Sequence, residues 1–245
     1  PNSLPGNHIA AITQDASGAL WVGTLNGLAR FNHADQTFTR YPHSNEPASL
    51  SEDWVAQILQ DHTGMFWVGT FSAGLNRFDP QTGIFKAYRY DPQTPGSLGN
   101  DSILALYESE NGNLWVGTAG GGLNHYDPAT DSFTVYREPD GLPNNVIYGI
   151  LEDESGSLWL STNRGLSRFD PQTETFRNYT AADGLQSNEF NQAAAARDAD
   201  GVMYFGGING FNVFDPSALR ANGFIPPISL VSVTQNGSPL LVEST

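Results

Sequence analysis

Short apolar stretches recur along the chain at nearly equal intervals, each broken by polar and glycine positions. Leu20-Trp21-Val22, Phe66-Trp67-Val68, Leu114-Trp115-Val116 and Leu158-Trp159-Leu160 are four such runs, and Met203-Tyr204-Phe205 is a fifth. The aromatic at the centre of each falls at 21, 67, 115, 159 and 204, a period of about 44 to 48 residues. A fixed period in this range marks a repeat architecture. Within one period the apolar positions come in four runs of strand length. In the first period these are 9–14, 19–24, 28–32 and 37–41. Asp15-Ala16-Ser17-Gly18 lies between the first two, with Asp to close its own turn and Gly to supply positive φ. The same turn chemistry returns at 61–64, 110–112, 153–156 and 198–201. Asp-Pro ends the third run at 79–80, 127–128, 170–171 and 215–216, where proline stops a ladder.

Short strands with turns every 8 to 12 residues predict an all-β fold. A period of about 45 residues selects a radial repeat of small sheets, a β-propeller of five four-stranded blades. The fifth repeat lacks its fourth strand. A strand over 228–234, followed by the turn Asn236-Gly237, could complete that sheet or open another domain. The expected organisation is therefore a propeller over 1–224, with 225–245 as closing strand or start of a β-sandwich.

Composition narrows the function. With 26 Gly and 15 Pro, the chain suits many tight turns, and with no Cys it has neither disulfides nor a thiolate metal site. The net charge of −15 argues against nucleic acid and anionic membrane surfaces as partners. No apolar run approaches the ~18 residues of a membrane span. Pro1 is not a natural start, so the chain reads as a mature or excised fragment.

Candidate chemistry centres on the residues just before each innermost strand: Asn7-His8, Asp53-Trp54, Asp101-Ser102, Asn145-Val146 and Asn188-Glu189. In a propeller these positions meet at one mouth of the central channel. The turns between second and third strands, among them Phe71-Ser72-Ala73 and Asn163-Arg164, open on the same face. Asn7, His8, Asp53, Trp54, Asp101, Asn145, Asn163, Arg164, Asn188 and Glu189 are thus the candidate ligand-binding residues. Amides, carboxylates, Arg and an aromatic are the types that hydrogen-bond to and stack on sugars. The competing reading is structural: Asn and Asp at strand starts satisfy loose backbone groups. No cofactor or metal is expected, because the Asp turns of separate blades do not converge. The five histidines form no ligand pair, and there is no nucleophile elbow or phosphate loop. Arg30, Arg77 and Arg168 give way to His125 and Val213 at the equivalent positions. They are accordingly read as solvated or blade-edge residues without a shared role.

The Leu-Trp-Val-Gly-Thr strands, together with Gly74-Leu75-Asn76-Arg77-Phe78-Asp79-Pro80 and its counterparts, resemble the two-component regulator propeller repeat. The run from Asp183 through Asn191, with Tyr204-Phe205-Gly206-Gly207, resembles the last propeller repeat of such receptors. Pro226-Pro227-Ile228 resembles the start of the immunoglobulin-like domain that follows it. The resemblance implies an extracytoplasmic, periplasmic or extracellular sensor. It would bind a small polar ligand, an oligosaccharide among the candidates, and pass the signal to a histidine kinase or diguanylate cyclase. Membrane attachment would come only through other parts of the receptor. A propeller lyase or glycosidase, and a protein-interaction scaffold, are the alternatives. Family propellers of this kind usually have seven blades, so five repeats either close as a ring or form part of a larger propeller. The reading leans to closure, or to pairing of two copies as a homodimer.

Overall fold

The computed structural model describes residues 2–219 and the strands Val233–Gln235 and Ser238–Leu240. Five antiparallel sheets follow one another as the repeat predicts. The first blade is β1 (Ile9–Gln14), β2 (Leu20–Thr24), β3 (Gly27–Asn32) and β4 (Thr37–Tyr41), paired in that order. The second is β5 (Val55–Gln60), β6 (Phe66–Thr70), β7 (Leu75–Asp79) and β8 (Ile84–Tyr88). The third is β9 (Ile103–Glu108), β10 (Leu114–Thr118), β11 (Leu123–Asp127) and β12 (Ser132–Tyr136). The fourth is β13 (Ile147–Glu152), β14 (Leu158–Thr162), β15 (Gly165–Asp170) and β16 (Thr175–Tyr179). The fifth has three strands among the described residues: β17 (Phe190–Arg197), β18 (Met203–Gly207) and β19 (Gly210–Phe214). The innermost strands β1, β5, β9, β13 and β17 pack side by side in that order. The fold is a β-propeller of five blade repeats. The strand expected over 228–234 falls mostly outside the described residues. Its end, β20 (Val233–Gln235), pairs with β21 (Ser238–Leu240) as a sheet of their own.

One device repeats at every blade. The Asp that opens the first turn accepts backbone N–H groups two and four residues on. Its second oxygen accepts the indole N–H of the Trp six residues on: Asp15 from Trp21 at 2.8 Å, Asp61 from Trp67 at 2.9 Å and Asp153 from Trp159 at 3.0 Å. Ser109 substitutes for Asp under Trp115, and Asp198 holds the hydroxyl of Tyr204. The four Trp rings are 1–2% exposed. Each lies against an aromatic on the third strand of the next blade: Trp21 on Phe78, Trp67 on Tyr126, Trp115 on Phe169 and Trp159 on Phe214. Burying side chains of this size dominates the inter-blade energy.

The residue opposite each Trp on the third strand covers its other side. Arg30, Arg77 and Arg168 lie over Trp21, Trp67 and Trp159 at 5.8–5.9 Å, and the His125 ring stacks on Trp115 at 4.5 Å. The expectation that these positions share no role is therefore corrected. A flat cation or a flat ring satisfies the same requirement, which is to cap an indole face.

Glycine supplies the remaining inter-blade fit. A Cβ at Gly23, Gly69 or Gly117 would overlap Val55, Ile103 or Ile147 of the following blade. These three aliphatics are 0% exposed, whereas Ile9, their counterpart in the first blade, is 51% exposed. Tyr204, the fifth-blade counterpart of the Trp residues, is 36% exposed, and Gly206 meets only Ala194 of its own blade. The seam between the fifth blade and the first thus lacks the packing that locks the other four. At this seam the end blades present apolar faces to solvent, Ile9 and Ile12 on the first and Phe211 and Val213 on the fifth.

Candidate functional site

The turns between second and third strands and the entries to the inner strands share one end of the propeller, as the sequence implies. Backbone bonds join them pairwise. The N–H groups of Leu25, Phe71, Ala119 and Ile208 donate to the carbonyls of His8, Trp54, Ser102 and Glu189. The mouth therefore carries the pairs His8 with Leu25, Trp54 with Phe71, Ser102 with Ala119, and Glu189 with Ile208.

Four of the candidate polar residues are blade clasps. The Asp53 carboxylate accepts the His43 N–H, and its carbonyl accepts the Gly27 N–H of the preceding blade. Asp101 does the same with Tyr90 and Gly74, Asn145 with Glu138 and Gly122, and Asn188 with Ala181 and Gly165. The side-chain bonds are 2.7–2.8 Å long. Each residue ties the inner strand of its blade to the second turn and the outer-strand exit of the blade before it. Asn7, which has no preceding blade, is exposed. The ring of carboxylates and amides is thus held by backbone.

The candidate residues that do not clasp a neighbouring blade, Asn7, His8, Trp54, Asn163, Arg164 and Glu189, are all exposed. Among them Trp54 is distinctive. Its ring stacks on Phe71 with centroids 3.8 Å apart and planes 9° from parallel, and the two rings are 38% and 45% exposed. Glu52 fastens the turn that carries Phe71: its two oxygens accept the N–H and the hydroxyl of Ser72 at 2.8 and 2.7 Å. Thr70 accepts the Ala73 N–H in the same turn. An exposed apolar pair is thereby held in one geometry. Phe71, Glu52 and Ser72 were not singled out as site residues in the sequence. The available signal was an aromatic at a turn where the other blades carry Leu, Ala, Asn or Ile.

At the opposite end, a cleft of about 310 Å³ opens between the fourth and fifth blades, lined by Asp153, Glu154, Ser155, Arg168, Asp200 and Asp215. Its charged groups serve the fold. Burial raises the Asp153 carboxyl, but hydrogen bonds from Ser155 and Trp159, with Arg168 beside it at 3.1 Å, bring it below the usual carboxylate range. Asp215 caps Ser217 and Glu154 faces Arg197. No three His, Asp or Glu side chains converge in a metal-binding arrangement among the described residues.

A radial stack of Trp-anchored blades with loops gathered at one channel mouth defines a propeller-repeat protein. The family model of the two component regulator propeller matches the chain at 3–26, 97–120 and 141–164. The chain is similar to the extracellular domain of a hybrid two component system from B. thetaiotaomicron. The identity is 28% over 96% of this chain and 32% of that one, with a TM-score of 0.76. A second such extracellular domain from B. thetaiotaomicron matches at 24% identity and a TM-score of 0.74, over 86% of this chain and 30% of that one. Histidine kinase P4 of Formosa agariphila is 29% identical over 91 residues, which is 37% of this chain and 7% of the kinase. The chain therefore spans about a third or less of these relatives. Virginiamycin B lyase from Staphylococcus aureus shares the fold alone. It is 18% identical with a TM-score of 0.67, over 89% of this chain and 70% of the lyase.

Proposed function

We propose that this propeller is the extracytoplasmic sensing region of a bacterial two component receptor, and that it binds a small polar ligand at the channel mouth without chemistry on it. The repeat family and the extracellular domains it is similar to support the sensor part. The exposed and rigidly held Trp54–Phe71 pair carries the ligand part. An aromatic face left in water beside hydrogen-bonding groups offers a surface for the C–H face of a sugar ring, which makes an oligosaccharide the favoured class. His8, Asn163, Arg164 and Glu189 are exposed at the same end of the propeller and supply donors and acceptors there. Titration calorimetry against an oligosaccharide panel tests this. Trp54→Ala is expected to weaken binding by about tenfold, worth about 1.4 kcal/mol, with the melting temperature unchanged. Undiminished affinity in that variant would remove the platform from the site.

A second reading, association between copies of the chain, is favoured by the seam. Ile9, Ile12, Phe211 and Val213 are exposed on the two end blades. Exposed large apolar side chains at the ends of a blade stack favour covering by a partner.

A further inference from the structure

The innermost strand of the fifth blade differs from the other four. In the first four blades the ladder between inner and second strands is interrupted by one bulge, where two residues face one, as from Ile147 to Gly149 against Thr162 to Ser161. In β17 the five-residue step from Phe190 to Ala195 faces the two-residue step from Gly207 to Phe205. The extra residues stand out of the sheet. Asn191, Gln192 and Ala193 are exposed, and the Asn191 and Gln192 side chains make no hydrogen bond to the described residues. Ala193 has φ of 56°, a left-handed conformation that strains a residue with a Cβ. The bulged strand also comes beside β9, two blades away, in addition to its neighbour β13. It therefore leans across the channel.

The neck of this bulge is built to hold it. Phe190 is buried at its base. Gln186 donates to the Glu189 carbonyl at 3.2 Å and accepts the Asn209 N–H at 2.8 Å, while its own N–H donates to Asn212. A Cβ on Gly207 would overlap the Gln186 amide, so glycine there leaves room for the brace. Wide bulges of this kind re-aim side chains next to functional sites, and strain that the surroundings enforce points the same way.

We propose that the β17 bulge, from Asn191 to Ala194, is a ligand-contacting element of the channel mouth whose amides select a neutral, hydroxyl-rich ligand over an anionic one. The inference rests on the mouth being the binding site. Each amide offers both donor and acceptor to a hydroxyl. Neither adds charge, and the chain already carries −15, which repels anions.

Calorimetry on the chain with cellohexaose, mannohexaose, xylohexaose and hexagalacturonate tests it. A neutral hexasaccharide is expected to bind, and the Asn191→Ala/Gln192→Ala double variant to bind it at least about tenfold more weakly at an unchanged melting temperature. If that variant melts early, Asn191→Asp keeps the shape, removes the donor and supplies the same readout. Undiminished affinity in the bulge variants, with Trp54→Ala still weakened, overturns the bulge proposal and leaves the mouth reading standing. Tightest binding by hexagalacturonate overturns the selectivity. Binding that neither the bulge variants nor Trp54→Ala weakens, or no binding of any probe by the unsubstituted chain, overturns both readings.

Discussion

Asp15, Asp61 and Asp153 each hold a first turn with one oxygen and the indole six residues on with the other. This division leaves no carboxylate pair for a metal, and it makes the residue structural. Asp153 adds a contact to Arg168. Asp153→Ala is therefore expected to destabilise the chain by about 1.5–3 kcal/mol, the range for hydrogen bonds to a charged group, read by urea denaturation. Asp131 is different because it acts between blades. Burial raises its carboxyl, but hydrogen bonds from Lys86, Tyr88 and Tyr126 outweigh that and lower it to about 2. Lys86 and Tyr88 belong to the second blade, Tyr126 and Asp131 to the third. A carboxylate depressed in the folded state adds stability above its unfolded pKa of about 3.8, and that stability is lost as pH falls towards about 2. Acid titration of the melting temperature should show this loss between roughly pH 4 and 2, and Asp131→Asn should be less stable at neutral pH and lack that part of the slope. For Asp53 and Asn145 residue type alone does not separate a structural role from a ligand role. Both are the right chemistry for a sugar site, yet both bind backbone of the preceding blade. The combined Asp53→Ala/Asn145→Ala change is expected to lower the melting temperature, and so reports on blade docking.

At the scale of the element, the second turn of each blade sets both packing and site. Gly74 has φ of 82°, and a Cβ there would overlap the Tyr88 carbonyl. Gly74→Ala is expected to cost more than about 1 kcal/mol, since left-handed strain adds to the overlap, and thermal denaturation would measure it. The four-strand plan of the first four blades was legible because turn residues repeat with the period. The sequence-derived strands agree with the observed ones to within a residue or so in the first blade. The β17 bulge was not legible. Asn191-Gln192-Ala193-Ala194 reads as ordinary strand continuation, and only the pairing of Phe190 with Gly207 and Ala195 with Phe205 shows the extra length. The Trp54–Phe71 stack was half legible. Trp54 stood out as an aromatic before an inner strand, but its partner lies in another turn, and their contact depends on the hairpin register.

For the whole molecule, the seam decides behaviour in solution. Four junctions pack a buried Trp on a third-strand aromatic, and three of them add a glycine–aliphatic contact. The fifth leaves their counterparts Tyr204, Phe31 and Ile9 unmatched across it. Light scattering is expected to give a mass that rises with concentration above the 26.5 kDa of one chain. Ile12→Lys with Phe211→Lys should return it to 26.5 kDa. A constant 26.5 kDa for the unsubstituted chain would mean that the end faces need no cover.

The sequence by itself determined the repeat, the blade plan, the Trp anchors and the mouth as the place where loops gather. These follow from periodicity and turn chemistry, which are local and recur five times. The tertiary structure alone decided which mouth residues bind backbone of the preceding blade and which stand exposed. A carboxylate or amide is equally suited to a ligand and to a backbone N–H, and only the approach of the neighbouring blade chooses between them. It likewise decided that Arg and His share the task of capping an indole, and that the fifth blade and the first do not lock. Those outcomes depend on contacts between chain segments tens to hundreds of residues apart, which no single repeat encodes.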